Sequence, residues 1–168
     1  MSQTTTFLLK AFDDNWSHRW ESLHPILVDI TDHEASWQHQ AYTGEHDPMG
    51  LAEPGTIRWH VGHLEQNARR YIRVLRSRPV AKNPEIPAPA LINIRDMVDR
   101  FQHVRNELRA EIAQIHDADL DDPCRGEMTV AEFVRMVIRH ETWHAGQIVV
   151  IRRLYRTSRA NPALSHIR

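Results

Sequence analysis

The segment that decides the fold lies near the end of the chain and reads Thr129-Val-Ala-Glu132-Phe-Val-Arg-Met-Val-Ile-Arg-His140-Glu-Thr-Trp-His144-Ala-Gly-Gln-Ile148. Thr129 and Glu132 have the spacing of a capping box, which predicts the start of a helix. Apolar side chains then recur every three or four residues, as on the buried face of an amphipathic helix. The pattern predicts a helix from Thr129 to about Arg156, with Glu141 and His144 as polar residues inside its apolar stripe.

The same periodicity predicts three further long helices. Residues 4–30 form the first, which we expect to kink or end near His24 because Pro25 cannot continue a regular helix. Thr56 is a good N-cap for the second, which ends before Pro79. Residues 93–115 form the third. Four long amphipathic helices predict an all-α four-helix bundle.

Shorter segments join these helices. Thr31 and Glu34 again have a capping-box spacing, which predicts one short helical turn over residues 32–37. No stretch shows the strict alternation of a β-strand. Residues 42–55, 79–90 and 117–128 are predicted to be loops, because they are rich in glycine, proline or acidic residues. At this length we expect a single domain over residues 1–168.

The composition narrows the classes of function. The 168 residues carry 21 basic and 22 acidic side chains, a net charge of -1, so no nucleic-acid partner is expected. No apolar run approaches the length of a membrane helix and no signal-peptide pattern opens the chain, so no membrane partner is expected either. One cysteine, Cys124, excludes an intrachain disulfide and fits a cytoplasmic location.

Histidines at helical spacing are the strongest functional signal. His140 and His144 lie one turn apart on one face of their helix, so both imidazoles can reach one metal ion. A third imidazole from Trp59-His60-Val-Gly-His63 would complete a three-ligand site with open positions. Helical-wheel geometry favours His60 as that inward ligand, because His63 lies further from the apolar stripe. Core histidines that hydrogen-bond to one another explain the spacing equally well.

The pattern His140-Glu141-x-x-His144 also resembles the signature of a zinc peptidase, with Glu141 as general base. One class of these enzymes needs a glycine and a third histidine downstream, where this chain has Gln147 and Val150. Another class needs an acidic ligand further along, and no Asp or Glu follows His144. A peptidase is therefore disfavoured.

Two motifs resemble the DinB-like superfamily: Trp59-His-Val-Gly-His63-Leu64, and Arg139-His140-Glu-Thr-Trp-His144-Ala-Gly146-Gln147-Ile148. This superfamily includes DinB/YfiT-like metal proteins, mycothiol-dependent maleylpyruvate isomerase and bacillithiol transferases. The resemblance implies an up-down-down-up four-helix bundle, often a homodimer. It also implies a zinc, nickel or iron site on three histidines, which map to His63, His140 and His144. That mapping conflicts with the wheel-based preference for His60, and we adopt the mapping.

His60 then becomes a candidate for the pocket wall or for a group that orients a ligand, together with Asn67 and Trp143. A metal ion held by three neutral imidazoles has room for water or a thiol, and binding to the metal lowers the pKa of either. The expected function is therefore thiol-dependent transfer to a small electrophile, with a low-molecular-weight thiol as the candidate cosubstrate. A metal-dependent hydrolase and a non-catalytic, metal-binding dimeric bundle are the alternatives. Glu141 is a candidate catalytic base or a neighbour that orients a ligand.

Overall fold

The computed structural model describes residues 3–18, 22–38, 55–90 and 92–160. Within these ranges the α-helices are α1 (Gln3–Ser17), α2 (Leu23–Leu27), α3 (Asp32–Ser36), α4 (Ile57–Ser77), α5 (Ile94–Ala113) and α6 (Val130–Ala160). A single 3-10 turn, Asp117–Asp119, and a hairpin of β1 (Pro123–Arg125) and β2 (Met128–Thr129) precede α6. The predicted all-α class is confirmed, whereas the up-down-down-up order of the helices stays a prediction.

The four long helices enclose one hydrophobic core. Helix α4 packs against α5 and α6, and α1 packs against the same two helices. Burial of each large apolar side chain stabilises this arrangement by about 1.5–3 kcal/mol. The fully buried members of the core include Phe12, Val61, Met97, Phe101, Phe133 and Ile148.

Capping side chains begin the helices where the sequence predicts. The backbone N–H of Trp59 donates to the hydroxyl of Thr56 over 3.2 Å at the start of α4. At the start of α6 the capping box is reciprocal: Thr129 N–H donates to Glu132 Oε2 over 2.9 Å, and Glu132 N–H donates to Thr129 Oγ1 over 3.3 Å. At the start of α3 the Thr31 hydroxyl accepts from the Glu34 N–H over 3.2 Å, while the Glu34 carboxylate accepts from Arg152. These contacts satisfy backbone donors that no helical carbonyl can reach.

The first predicted helix ends earlier than the sequence indicated. We expected one helix to reach His24, but α1 ends at Ser17 and a separate helix, α2, begins at Leu23. Pro25 lies in the first turn of α2, where proline is tolerated because its missing N–H would have no helical partner there. The proline therefore lies inside a short helix and does not end a long one.

The absence of strands was also predicted wrongly. β1 and β2 pair antiparallel around Gly126, whose φ of +55° suits a tight turn. The segment after α4 joins this hairpin, because Val80 N–H donates to the Cys124 carbonyl and Gly126 N–H donates to the Val80 carbonyl, both over 2.9 Å. Strands of two and three residues are too short to produce a periodic signal in sequence.

Two further predicted segments, the short helical turn and the loop after α4, lie within the described residues. Residues 32–37 contain the short helix α3, and residues 81–90 are irregular or extended, as predicted. The loop predicted over residues 42–55 lies outside the described residues except at its last position. Among the helices that are described, none is long and apolar enough to span a bilayer.

Candidate metal centre

Three histidines from two helices meet at one point. His63 comes from α4, and His140 and His144 come from α6. One ring nitrogen of each lies within 4.8 Å of the others. Nε2 of His140 is the central atom, 3.2 Å from Nε2 of His63 and 3.1 Å from Nε2 of His144. The structure thus brings together the three histidines of the family mapping.

These separations suit a shared metal ion. Zinc binds imidazole nitrogen at about 2.0–2.1 Å, so two nitrogens of a tetrahedral site stand about 3.3 Å apart. Neutral imidazoles that merely hydrogen-bond would need one N–H between each pair, and Nε2 of His140 faces Nε2 of both neighbours. A neutral ring nitrogen is either a donor or an acceptor, so Nε2 of His140 would have to share one proton, or one lone pair, between both neighbours, whereas a metal ion complements all three lone pairs at once. The donor set therefore fits a divalent metal.

Burial keeps the imidazoles neutral, as metal ligands must be. It lowers the pKa of His63 and His140 to about 4, with smaller contributions from nearby positive charge that include Arg70. The pKa of His144, which has no exposed surface, falls to about 2, mainly through burial and further through the adjacent imidazoles. All three lone pairs are consequently available at neutral pH.

His60 lies behind His144, opposite the cluster. Its side chain is 2% exposed, and its Nδ1 stands 2.9 Å from Nδ1 of His144. If Nε2 of His144 holds a metal, its Nδ1 carries the proton and donates to His60. The wheel-based expectation that His60 points inward agrees with this burial, but His60 is not part of the three-histidine group.

Asn67 and Arg70 adjoin the cluster on α4. Nδ2 of Asn67 lies 2.8 Å from Nε2 of His63, and Nη1 of Arg70 donates to Oδ1 of Asn67 over 2.6 Å. Arg70 Nε also donates to the Pro84 carbonyl over 3.2 Å. Because an arginine can only donate, it fixes the Asn67 amide with its NH₂ group towards His63. The amide NH₂ group therefore faces the same nitrogen of His63 that a metal would use.

Two tryptophans and a tyrosine surround the imidazoles. The Trp59 ring stacks on His63 with 4.6 Å between centroids, and it also lies 6.2 Å from the His144 ring. Trp143, 43% exposed, has its ring centroid 5.2 Å from that of His144. Tyr71 meets the ring of His140 edge-on at 6.0 Å. The sequence predicts Trp143 as a pocket residue and indicates Trp59 only as the neighbour of a candidate ligand, whereas Tyr71 was expected only as part of the apolar stripe of its helix.

Glu141 makes its hydrogen bonds with residues outside the histidine cluster. It is 3% exposed, and its Oε2 accepts hydrogen bonds from Nδ2 of Asn15 over 2.8 Å and from Nε of Arg105 over 3.1 Å. Burial raises its pKa, and the adjacent Arg105 works against that rise. Within the described ranges its hydrogen bonds go to α1 and α5, and none goes to a histidine. The structure therefore places Glu141 in a buried ion pair that joins three helices, while its predicted role as a base stays untested.

Two buried polar atoms close to the cluster lack a partner in the described part of the chain. They are Nδ1 of His140 and Oε1 of Gln147. Metal-bound histidines nearly always donate their second N–H to an acceptor, and an unpaired buried polar group costs about 1–3 kcal/mol. The missing acceptor at His140 marks a position where a water or a ligand would complete the site.

A family of known proteins matches most of the chain. The family described as the DinB superfamily matches residues 15–148, which contain α4, α5 and all three clustered histidines. No curated protein and no solved structure matches the chain significantly.

Proposed function

Because this chain belongs to the DinB superfamily, we propose that it binds one divalent metal ion, zinc, nickel or iron, through His63, His140 and His144. We propose further that it uses the ion to transfer a low-molecular-weight thiol to a small electrophile. The observation that carries the proposal is the convergence of three Nε2 atoms at 3.1–3.2 Å steps. Three protein ligands leave an open position, which distinguishes catalytic from structural metal sites.

Such an ion, when bound, supplies a positive charge that lowers the pKa of a thiol or a water placed beside it. The surrounding side chains then decide what can approach. Trp59 stacks on His63 and covers one face of the cluster with an apolar ring. Water is excluded from that side, which strengthens electrostatic interactions at the open position.

Arg70 supports a thiol that carries a negative charge. Its guanidinium uses two donors, on Asn67 and Pro84, and has no carboxylate partner among the described residues. It lies close enough to lower the pKa of both His63 and His140. A carboxylate on the cosubstrate could accept hydrogen bonds from the remaining donors, and charge-assisted bonds of this kind are roughly twice as strong as neutral ones.

Tyr71 supplies a neutral donor on the other side of His140. Burial raises the pKa of its phenol to about 12, so the hydroxyl stays protonated throughout the physiological range. A protonated phenol beside the cluster can donate a hydrogen bond to a leaving group or to a substrate carbonyl.

Hydrolysis is the less supported reaction. It would use Glu141 as the base that activates water, but this carboxylate is held by Arg105 and Asn15. Both partners stabilise its ionised form as part of the core. Transfer of a thiol needs no such base, because a metal ion can itself stabilise the thiolate.

Metal analysis tests the proposal. Untagged protein, purified without a nickel column, should contain close to one equivalent of a divalent metal or take up one equivalent of zinc. The His140→Ala variant should take up none, whereas His103→Ala, which removes an exposed histidine on α5, should bind normally. Less than about a tenth of an equivalent in the wild type, with no rise on adding zinc or nickel, contradicts the site.

Two assays on the metal-loaded protein then separate the reactions. In the first, cysteine is offered 1-chloro-2,4-dinitrobenzene, so that sulfur bonds to the ring carbon, chloride leaves and the thiol proton passes to solvent. In the second, 4-nitrophenyl acetate is offered without thiol. Turnover in the first alone supports transfer, and turnover in the second alone supports hydrolysis instead. Full metal occupancy with no turnover in either assay favours the non-catalytic dimeric bundle.

A further inference from the structure

A cleft of about 630 Å³ opens away from the histidines, between the β1–β2 hairpin, residues 81–83 and the first turns of α6. Four of its lining residues are basic and two are acidic. The basic residues are Lys82, Arg125, Arg135 and Arg139, and the acidic residues are Glu127 and Glu132.

Arg125 is held rigidly in this cleft. Its Nη1 donates to Asn83 Oδ1 over 3.0 Å, its Nη2 points at Met128 Sδ over 3.4 Å, and its guanidinium lies 5.3 Å from the centre of the Phe133 ring. All three partners are neutral. A guanidinium has five N–H donors, so three remain unused here, already arranged in a planar fork.

Arg135 and Arg139 place two more cations beside it. They lie one turn apart on α6, where like charges destabilise a helix. Glu132 lines the same cleft, but its carboxylate accepts the Thr129 N–H at the capping box and makes no ion pair with either arginine. Among the described residues none of the basic side chains of the cleft has a carboxylate within ion-pair distance.

Ion pairs neutralise many, but not all, of the other described arginines. Nine outside the cleft have an Asp or Glu partner, namely Arg58, Arg69, Arg76, Arg78, Arg100, Arg105, Arg109, Arg152 and Arg156. What distinguishes the cleft is that it gathers four basic side chains against two acidic ones in a chain whose net charge is -1. Concave surfaces with an excess of one sign of charge focus the field and attract counter-ions.

We propose that this cleft binds a small anionic ligand through a carboxylate or phosphate group, with Arg125 as the central contact and Arg135 and Arg139 beside it. Bidentate pairing with either group uses the free donors of Arg125. The ring of Phe133, under the Arg125 guanidinium, also packs against Tyr71 with 5.5 Å between centroids. Tyr71 in turn contacts His140, so the anion cleft and the histidine cluster are separated by two aromatic rings.

The test titrates the full chain with potassium phosphate and, separately, with potassium succinate, at constant ionic strength made up with potassium chloride. The Nε–Hε signal of Arg125 and the backbone amide signal of Gly126, which also lines the cleft, report binding in a nitrogen–proton NMR spectrum, and the Gly126 amide is the readout for the variant of Arg125. Zinc-free protein is used first, so that phosphate cannot respond to a metal, and the titration is repeated with His140→Ala. The cleft should bind equally well in both, whatever the fate of the proposed metal site.

We expect a saturable shift with at least one of the two anions, and the tighter one identifies the preferred group. Arg125→Gln should weaken binding at least about tenfold, because it removes the bidentate contact. Arg139 is exposed, so the Arg139→Gln variant should fold normally. It should weaken binding about threefold or more, because one positive charge is lost from the cleft. Arg153→Gln, on the exposed surface of the same helix, removes the same charge and should change binding less than about twofold.

Three results would overturn the proposal. One is a linear, unsaturated response of the Arg125 signal to both anions. Another is an equal loss for Arg139→Gln and Arg153→Gln, which would show a non-specific effect of net charge. The last is loss of phosphate binding in His140→Ala alone, which would place the anion at the histidines.

Discussion

His60 and His144 meet nitrogen to nitrogen across the bundle, with 2.9 Å between their Nδ1 atoms. Only one of the two nitrogens can carry the proton of this hydrogen bond, because a neutral imidazole has one donor and one acceptor. With the proton on His144, its Nε2 presents a lone pair to His140 and His63. The contact therefore holds Nδ1 of His144 towards His60 and leaves Nε2 to face the cluster.

Replacing His60 should weaken the metal site without removing a ligand. In His60→Ala the acceptor for His144 Nδ1 is lost, and loss of such an outer contact typically lowers metal affinity about 10- to 100-fold. Competition with a chromogenic zinc chelator measures the change. His103→Ala should bind zinc as the wild type does, since its ring is exposed on α5. An unchanged affinity for His60→Ala would show that His60 merely packs beside His144.

Neutralising Glu141 should destabilise the fold more than it affects metal binding. Glu141→Gln leaves Arg105, which is 2% exposed, as an uncompensated buried charge, and breaking such a pair costs about 3–5 kcal/mol. Urea unfolding of the metal-free protein gives the free energy of unfolding. The double variant Glu141→Leu with Arg105→Met should recover much of the loss, because apolar replacement of a whole pair is often neutral. A wild-type unfolding midpoint for Glu141→Gln contradicts the structural role.

Metal-free protein should lose stability as the pH falls from about 6.5 towards 4. The folded chain holds the pKa of His60, His63 and His140 at about 4 and that of His144 at about 2, whereas histidines of the unfolded chain titrate near 6.5. Between these values the unfolded state binds more protons, so the free energy of unfolding decreases with decreasing pH. Urea midpoints at pH 7, 6 and 5 measure the slope.

The same experiment has an internal control. Replacing His144 by Phe removes one of the shifted groups and should flatten the slope, whereas His103→Ala should leave it unchanged. Midpoints that do not move between pH 7 and 5 would mean that the buried imidazoles already accept protons in the folded chain.

Shortening Arg152 should detach the far end of α6. Its Nε donates to Glu34 Oε1 over 2.8 Å, and its Nη1 donates to the carbonyls of Ile26 and Val28 over 2.7 and 3.2 Å. Arg152→Lys keeps the charge but cannot make this planar set of bonds, so we expect a loss of about 2 kcal/mol or more in urea unfolding. Arg153→Lys, one residue on and exposed, is the matched control. Equal urea midpoints for the two variants would contradict a stabilising role for the hydrogen bonds of Arg152.

Much of the bundle could be predicted because its signals are local. Capping pairs such as Thr129 with Glu132, and apolar side chains at helical spacing, involve residues that are close together in the sequence. The break between α1 and α2 and the hairpin around Gly126 could not be predicted in the same way. Proline has different effects in a helix interior and in a first turn, and the hairpin depends on hydrogen bonds to Val80, far away along the chain.

Part of the site was predictable for the same reason. His140 and His144 face one way whatever surrounds them, because a helix turn fixes their spacing. The helical wheel alone favoured His60 over His63, because a wheel describes burial around one helix and does not say which neighbour fills each direction, whereas the family resemblance favoured His63. In the bundle both residues contact the α6 pair: His63 reaches Nε2 of His140, and His60 reaches Nδ1 of His144.

The sequence by itself determined where the long helices lie, where most of them begin, and that two imidazoles share one face of α6. These properties arise from hydrogen bonds and side-chain spacing within a few residues. Only the tertiary structure decided how closely His63 approaches those imidazoles, that Glu141 pairs with Arg105, and that Arg125 reaches the cleft beside Arg139. Each of these contacts joins separate elements, so its existence depends on how their apolar faces pack together.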